Sequence, residues 1–207
     1  MLELLGRSTS INVRKVLWTC AELDLPCQHT EWGAGALSLR DPAFLALNPN
    51  GLVPVIRDGD FVLWESNTIC RYLAAKAVRT DLLPAEPAAR ARVEQWMDWQ
   101  ATELNTAWRY AFMGLVRTNP AFADPALIDA SLQSWNRHMA LLDAALRGSG
   151  AFVSGDGFTL ADVVLGLATH RWFMTPMARP DLPAVQAYYD RLNERPGYRA
   201  HGRNGVP

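Results

Sequence analysis

The sequence predicts an α/β domain followed by an all-helical domain. Two observations carry this. Over residues 1–79, short apolar runs alternate with stretches of helical periodicity; beyond residue 88 the strand signals vanish and long helical patterns take over. Between them, Leu83-Pro84-Ala85-Glu86-Pro87 reads as part of a linker over 80–87. The chain has 207 residues, 49% of them hydrophobic, enough for one large domain or two smaller ones.

The elements follow in order. Leu2 to Leu5 is an apolar run closed by Gly6, a strand. Ile11, Val13, Val16, Leu17, Cys20, Ala21 and Leu23 recur at helical spacing, and Pro26 stops that helix. Cys27 to Glu31 reads as a second strand, and a short helix is expected near Pro42 to Leu47. Val53 to Arg57 and Phe61 to Leu63 flank Asp58-Gly59, which predicts a hairpin with a type I′ turn. Ile69, Tyr72 and Leu73 continue a helix beginning near Glu65. The order is therefore βαβ, then αββα. The second part holds helices from about Ala88 to Met113, Pro125 to Arg147, Thr159 onward, and Pro183 to Arg195, the last stopped by Pro196-Gly197.

Composition excludes several classes of function. A net charge of −1 offers no field to hold nucleic acid or an anionic membrane. No run of about 18 apolar residues is present, and the N-terminus lacks a basic region ahead of a long apolar one. A cytoplasmic location is expected. Cys20, Cys27 and Cys70 are odd in number and form no C-x-x-C, which reads as small buried residues rather than a disulfide frame. His29, His138, His170 and His201 have no metal-ligand spacing, so no metal is expected.

Four segments carry the chemistry. In Asn48-Pro49-Asn50-Gly51-Leu52-Val53-Pro54-Val55, Gly51 permits a tight turn and Pro54 stands at a strand entry. A cis Val53–Pro54 bond there turns the backbone of Val53 toward a peptide-like ligand; an ordinary turn fits the residues equally. In Trp64-Glu65-Ser66-Asn67, a strand gives way to a helix. The helix start suits a ligand carboxylate, Ser66 adds a hydroxyl and Glu65 suits an ammonium, though the pair also reads as plain capping. In Gly6-Arg7-Ser8-Thr9-Ser10-Ile11-Asn12, the hydroxyls either cap the first helix or point at a ligand thiol, whose pKa such a hydrogen bond lowers. Thr159 and Asp162 have capping-box spacing, with Phe158 and Val163 at the staple positions, and are assigned to folding.

Taken in this order and spacing, the segments resemble the bacterial cytosolic glutathione transferases of the theta/beta/nu-like group, over essentially the whole chain. The resemblance implies a thioredoxin-like glutathione-binding domain and a helical domain. It implies that Leu52, Val53 and a cis Pro54 face the cysteinyl backbone of glutathione, and that Glu65 and Ser66 hold its γ-glutamyl group. Ser10 matches the position of the catalytic serine, with Asn12 as a second polar donor, and a homodimer is implied. No tyrosine or cysteine occupies the N-terminal catalytic region, Leu52 stands where Lys or Arg is often found, and Ser8 and Thr9 compete with Ser10 for the thiol.

Eight tryptophans are many for this length. An apolar electrophile pocket formed by Trp108, Arg109, Phe112 and Trp172 is one reading; core packing between helices is the other. The expected activity is conjugation of activated glutathione to small electrophiles, with glutathione as co-substrate and no other cofactor. The rival readings are glutathione-dependent disulfide reduction, peroxide reduction or dehalogenation, and a catalytically silent binding module.

Overall fold

The computed structural model describes residues 1–33, 35 and 37–207. The first part contains β1 (Leu2–Leu5), α1 (Ile11–Glu22), β2 (Cys27–Thr30), α2 (Pro42–Leu47), β3 (Val55–Asp58), β4 (Phe61–Trp64) and α3 (Ser66–Lys76). The four strands form one sheet in the order β2-β1-β3-β4. β1 runs parallel to β2 and antiparallel to β3. Strand alternation divides the side chains between the two faces. Leu2, Leu4 and Ile56 join the main core under α1 and α3, while Leu5 and Val55 pack with Phe44 of α2 on the other face.

The hairpin turn lies one residue later than the sequence suggests. Asp58 pairs with Phe61 inside the ladder, so the turn residues are Gly59 and Asp60. Only Gly59 has a positive φ, +62°, which matches type II′ rather than the expected type I′. Asp58 is held in the strand from outside, because its carboxylate accepts from the Tyr72 hydroxyl at 2.7 Å and from the Lys76 ammonium.

The second part contains α4 (Pro87–Trp99), α5 (Asn105–Leu115), α6 (Pro125–Ser149), α7 (Leu160–Met174), α8 (Pro183–Leu192) and α9 (Pro196–His201). α4 and α5 are the single helix expected over 88–113, interrupted by a π-helical turn at Gln100–Leu104. α8 ends three residues before the expected Arg195. Pro196 does not stop it; it opens α9, because proline at the first helical position loses no hydrogen bond and supplies the right φ.

α7 is the axis of the helical part. Every residue from Leu160 to Trp172 is buried, the polar Asp162, Thr169, His170 and Arg171 included. The capping box closes its start: the Asp162 carboxylate accepts from the Thr159 N–H at 2.9 Å. The same carboxylate reaches the Val153 N–H and the Tyr188 hydroxyl, both at 3.1 Å. Burial pushes its pKa up to about 6. α7 also carries the joint to the sheet. A side chain at Gly166 would meet Leu192 at 2.7 Å and the Trp18 ring at 3.0 Å, so only glycine lets α1 lie this close.

Candidate active site

Three segments distant in sequence converge on one cavity of about 150 Å³, lined by Asn12, Asn48, Leu52, Val53, Pro54, Glu65 and Ser66. The sheet is the reason they meet. Val55 pairs with Trp64 across β3 and β4, so residues 54 and 65 both lie one step beyond that pair. The Val53–Pro54 peptide is cis, as the family resemblance implied.

Asn48 anchors the loop that carries Val53. It is buried, donates through Nδ2 to the Leu52 carbonyl at 2.8 Å and accepts the Asn50 N–H at 3.1 Å. Gly51, with φ +61°, closes the turn by donating to the Asn48 carbonyl at 3.0 Å.

Glu65 stands at φ +74° and ψ +108°, a conformation rare for a residue with a side chain. Such strain concentrates at ligand sites. Its carboxylate is exposed and caps nothing, while its carbonyl accepts the Ile69 N–H at 2.8 Å. Ser66 is buried at the first position of α3.

Ser10 is the N-cap residue of α1, half-buried, and its hydroxyl makes no capping bond. It does not itself line the cavity; Asn12, two residues on, does. Ser8 and Thr9 are exposed, and the Ser8 N–H donates to the Glu31 carboxylate at 3.0 and 3.2 Å. The hydroxyl at position 10 thus remains free at the positive end of a helix.

A buried polar chain beneath the site was not read from the sequence. The Lys15 ammonium donates to Asn67 Oδ1 at 3.1 Å and to Gln100 Oε1 at 2.7 Å. The Asn67 amide donates to the Met97 carbonyl, and Gln100 to Asn105 Oδ1, each at 2.8 Å. Burial brings the Lys15 pKa down to about 8. Two adjacent charged residues, Arg14 and Lys15, in the middle of the helical pattern were the available signal.

The expected electrophile residues are divided. Trp108 and Phe112 are buried on α5 with their rings edge to face at 5.4 Å. The Arg171 guanidinium lies over both, 4.5 Å from the Trp108 ring centre and 4.0 Å from that of Phe112. Trp172 does not join them: it is buried, donates to Asn136 Oδ1 at 2.9 Å and packs on Phe173. Arg109 is exposed and pairs with neither ring. Neighbours on a helix point about 100° apart, so Trp108 and Arg109 cannot share one face, nor can Arg171 and Trp172. Among the described residues, no group of three or more His, Cys, Asp and Glu side chains is arranged to hold a metal, and no helix is long and apolar enough to cross a membrane.

The family model of the glutathione S-transferase N-terminal domain matches residues 9–76, and that of the C-terminal domain matches residues 125–191. The glutathione S-transferase GstB of Escherichia coli K12 is 44% identical, covering 96% of each chain. The chain belongs to the glutathione S-transferase family. Glutathione S-transferase 3 of Zea mays is 33% identical over 95% of this chain and 91% of its own. Among solved structures, a theta-class glutathione S-transferase from Xanthomonas axonopodis pv. citri, crystallised with glutathione bound, superposes with a TM-score of 0.90. It is 42% identical, covering 97% of this chain and 96% of its own. The sheet and the helices behind it are thus the thioredoxin-like and helical parts of that fold.

Proposed function

We propose that this chain is a glutathione transferase whose cavity between residues 12, 48–54 and 65–66 binds glutathione and activates its thiol for attack on small electrophiles. One observation carries the reading: the backbone of Val53 beside a cis proline, the exposed Glu65 carboxylate and the start of α3 at Ser66 all open on one space. A tripeptide with an extended backbone, an ammonium and a carboxylate has the matching groups. Val53 pairs with its cysteinyl backbone, Glu65 with the γ-glutamyl ammonium, and Ser66 with the γ-glutamyl carboxylate.

The thiol then lies toward the start of α1. The Ser10 hydroxyl donates to the sulfur, and Asn12 adds a second donor; both favour the thiolate. Conjugation proceeds because the thiolate is held against the electrophilic carbon in a prepared electrostatic field. Residues 1–79 supply the glutathione side, and the helical part after residue 87 supplies the electrophile side through Trp108 and Phe112. Glutathione is a co-substrate in this scheme and the place of action is the cytoplasm.

Calorimetry with glutathione, followed by turnover assays on aryl halides, haloacids, peroxides and mixed disulfides, tests the reading. Binding together with conjugation of a halide is the expected result; failure to bind glutathione overturns it. We also propose a homodimer. An open hollow of about 360 Å³ lined by Gln95, Trp96, Trp99 and Leu141 offers apolar surface for a second copy. Light scattering that gives 23.0 kDa at micromolar concentration rules the dimer out.

A further inference from the structure

We propose that Arg171 and Arg117 form an anion-binding subsite on the electrophile side, so that the preferred electrophile carries a carboxylate. The inference rests on the transferase reading above and names its substrate class.

Its foundation is a group of cations without anions. Arg171 is 3% exposed, its Nε has no hydrogen-bond partner among the described residues, and its guanidinium lies over Phe112 and Trp108. Arg117, exposed at the end of α5, places its guanidinium 5.5 Å from the centre of the same Phe112 ring. Arg14 is buried beside them; its Nη1 donates to the Asn204 side chain and the Val206 carbonyl, but its Nε and Nη2 have no partner. Among the described residues, no carboxylate forms an ion pair with Arg7, Arg14, Arg117 or Arg171.

Elsewhere partly buried arginines have partners: Arg179 and Arg191 donate to backbone carbonyls, and others meet carboxylates. Arg195 meets Glu22, and Arg71 meets Glu94 and Asp98. A buried charge left unpaired is costly, and aromatic faces compensate only part of that cost. Burial holds the Arg171 pKa well below its usual value, and the fields of Arg14 and Arg117 push it further down. Burial likewise lowers Arg117, with Arg7 adding to it. A carboxylate among these groups reverses every one of those repulsions.

The subsite adjoins the thiol. The Ser10 N–H donates to the Arg7 carbonyl, and the Arg14 N–H donates to the Ser10 carbonyl, both at 2.9 Å. Arg7 and Arg14 thus flank along the chain the helix start that presents the Ser10 hydroxyl, and their fields reach Arg117 and Arg171. An electrophile whose carboxylate lies between Arg171 and Arg117 extends from there toward the start of α1 and turns its reactive carbon toward the sulfur. The glutathione proton passes to solvent, the carbon–sulfur bond forms, and the carbon–halogen bond breaks with its electron pair leaving as halide.

The test uses 4-chloro-3-nitrobenzoate and its neutral analogue 4-chloro-3-nitrobenzamide. Calorimetry without glutathione measures binding of each to the wild type, Arg171→Met and Arg117→Gln; turnover with glutathione gives kcat/KM for each. The wild type should bind the carboxylate more tightly. The carboxylate-to-amide ratio of kcat/KM should fall about 10- to 100-fold in each variant, the scale of one charge-assisted hydrogen bond. Arg117 is exposed, so Arg117→Gln keeps the test decisive even where Arg171→Met does not fold. A purely structural stack lowers stability and leaves that ratio unmoved, which overturns the inference; so does equal binding of the two compounds. Conjugation of the amide without preference for the carboxylate overturns this inference alone. Selective binding of the carboxylate by a protein that does not bind glutathione supports the subsite and overturns the transferase reading.

Discussion

Glu65→Gln removes the negative charge at the rim of the cavity and keeps the length of the side chain. The carboxylate of Glu65 makes no hydrogen bond among the described residues and is exposed, so the change in folding stability should stay within about 0.5 kcal/mol. Loss of a charge-assisted hydrogen bond to the γ-glutamyl ammonium costs about 1.5–3 kcal/mol, a rise in glutathione Kd of roughly 10- to 150-fold. Solvent access at Glu65 places the expected value toward the lower end. Glu65→Gly separates ligand from fold more sharply. At φ +74° a side chain costs of order 1–3 kcal/mol, while the freer unfolded chain of glycine returns roughly 0.5–1 kcal/mol. The glycine variant should therefore be as stable as the wild type or up to about 2.5 kcal/mol more stable, yet bind glutathione as poorly as the glutamine variant. Titration calorimetry and urea unfolding measure the two effects. Unchanged glutathione affinity in both folded variants refutes the ligand role. A glycine variant less stable than wild type by more than 1 kcal/mol refutes the strain argument.

Three further outcomes are expected. Ser10→Ala should raise the pKa of bound glutathione and lower turnover about 10- to 1,000-fold with little loss of affinity; a normal thiolate titration, followed by ultraviolet absorbance in Ser10→Ala with Asn12→Ala, clears both residues of the role. Asp162→Ala leaves the Val153 and Thr159 N–H groups and the Tyr188 hydroxyl without their buried acceptor and should cost about 3–5 kcal/mol, so a loss below 1 kcal/mol in urea unfolding contradicts the capping role. Burial brings the pKa of His170 down to about 4 against about 6.5 in the unfolded chain, so its contribution is full above pH 6.5 and is lost as the pH falls toward 4. Between pH 7 and 5 that loss is about 2 kcal/mol; the raised pKa of Asp162 acts in the opposite sense, and comparing wild type with His170→Gln cancels it. A stability difference between those two proteins that does not change with pH refutes the assignment.

Local physics made much of this protein legible in its sequence. The short apolar run Leu2 to Leu5 became β1, and the prolines at 42, 125 and 183 each open a helix, because proline suits the first turn of a helix. The spacing of Thr159 and Asp162 alone specified the capping box. Asn48 to Pro54 and Glu65-Ser66 were readable as ligand segments because each is a short stretch with unusual turn or helix-start chemistry.

What the sequence left open depended on partners far along the chain. The π-helical turn at Gln100–Leu104 has no breaker residue to announce it, and its Gln100 takes its meaning from Lys15, 85 residues earlier. Trp108, Arg109, Phe112 and Trp172 looked equivalent as aromatic and basic residues on helices. Only the packing of α5 against α7 set Trp108 and Phe112 under Arg171, and turned Trp172 toward Asn136. Periodicity reports which face of a helix is buried and is silent on what it is buried against. The sequence by itself determined the order of the strands and most helices and singled out Val53, Pro54, Glu65 and Ser66, which line one cavity. The tertiary structure decided which cations were left without an anion, because burial and pairing exist only once distant segments meet.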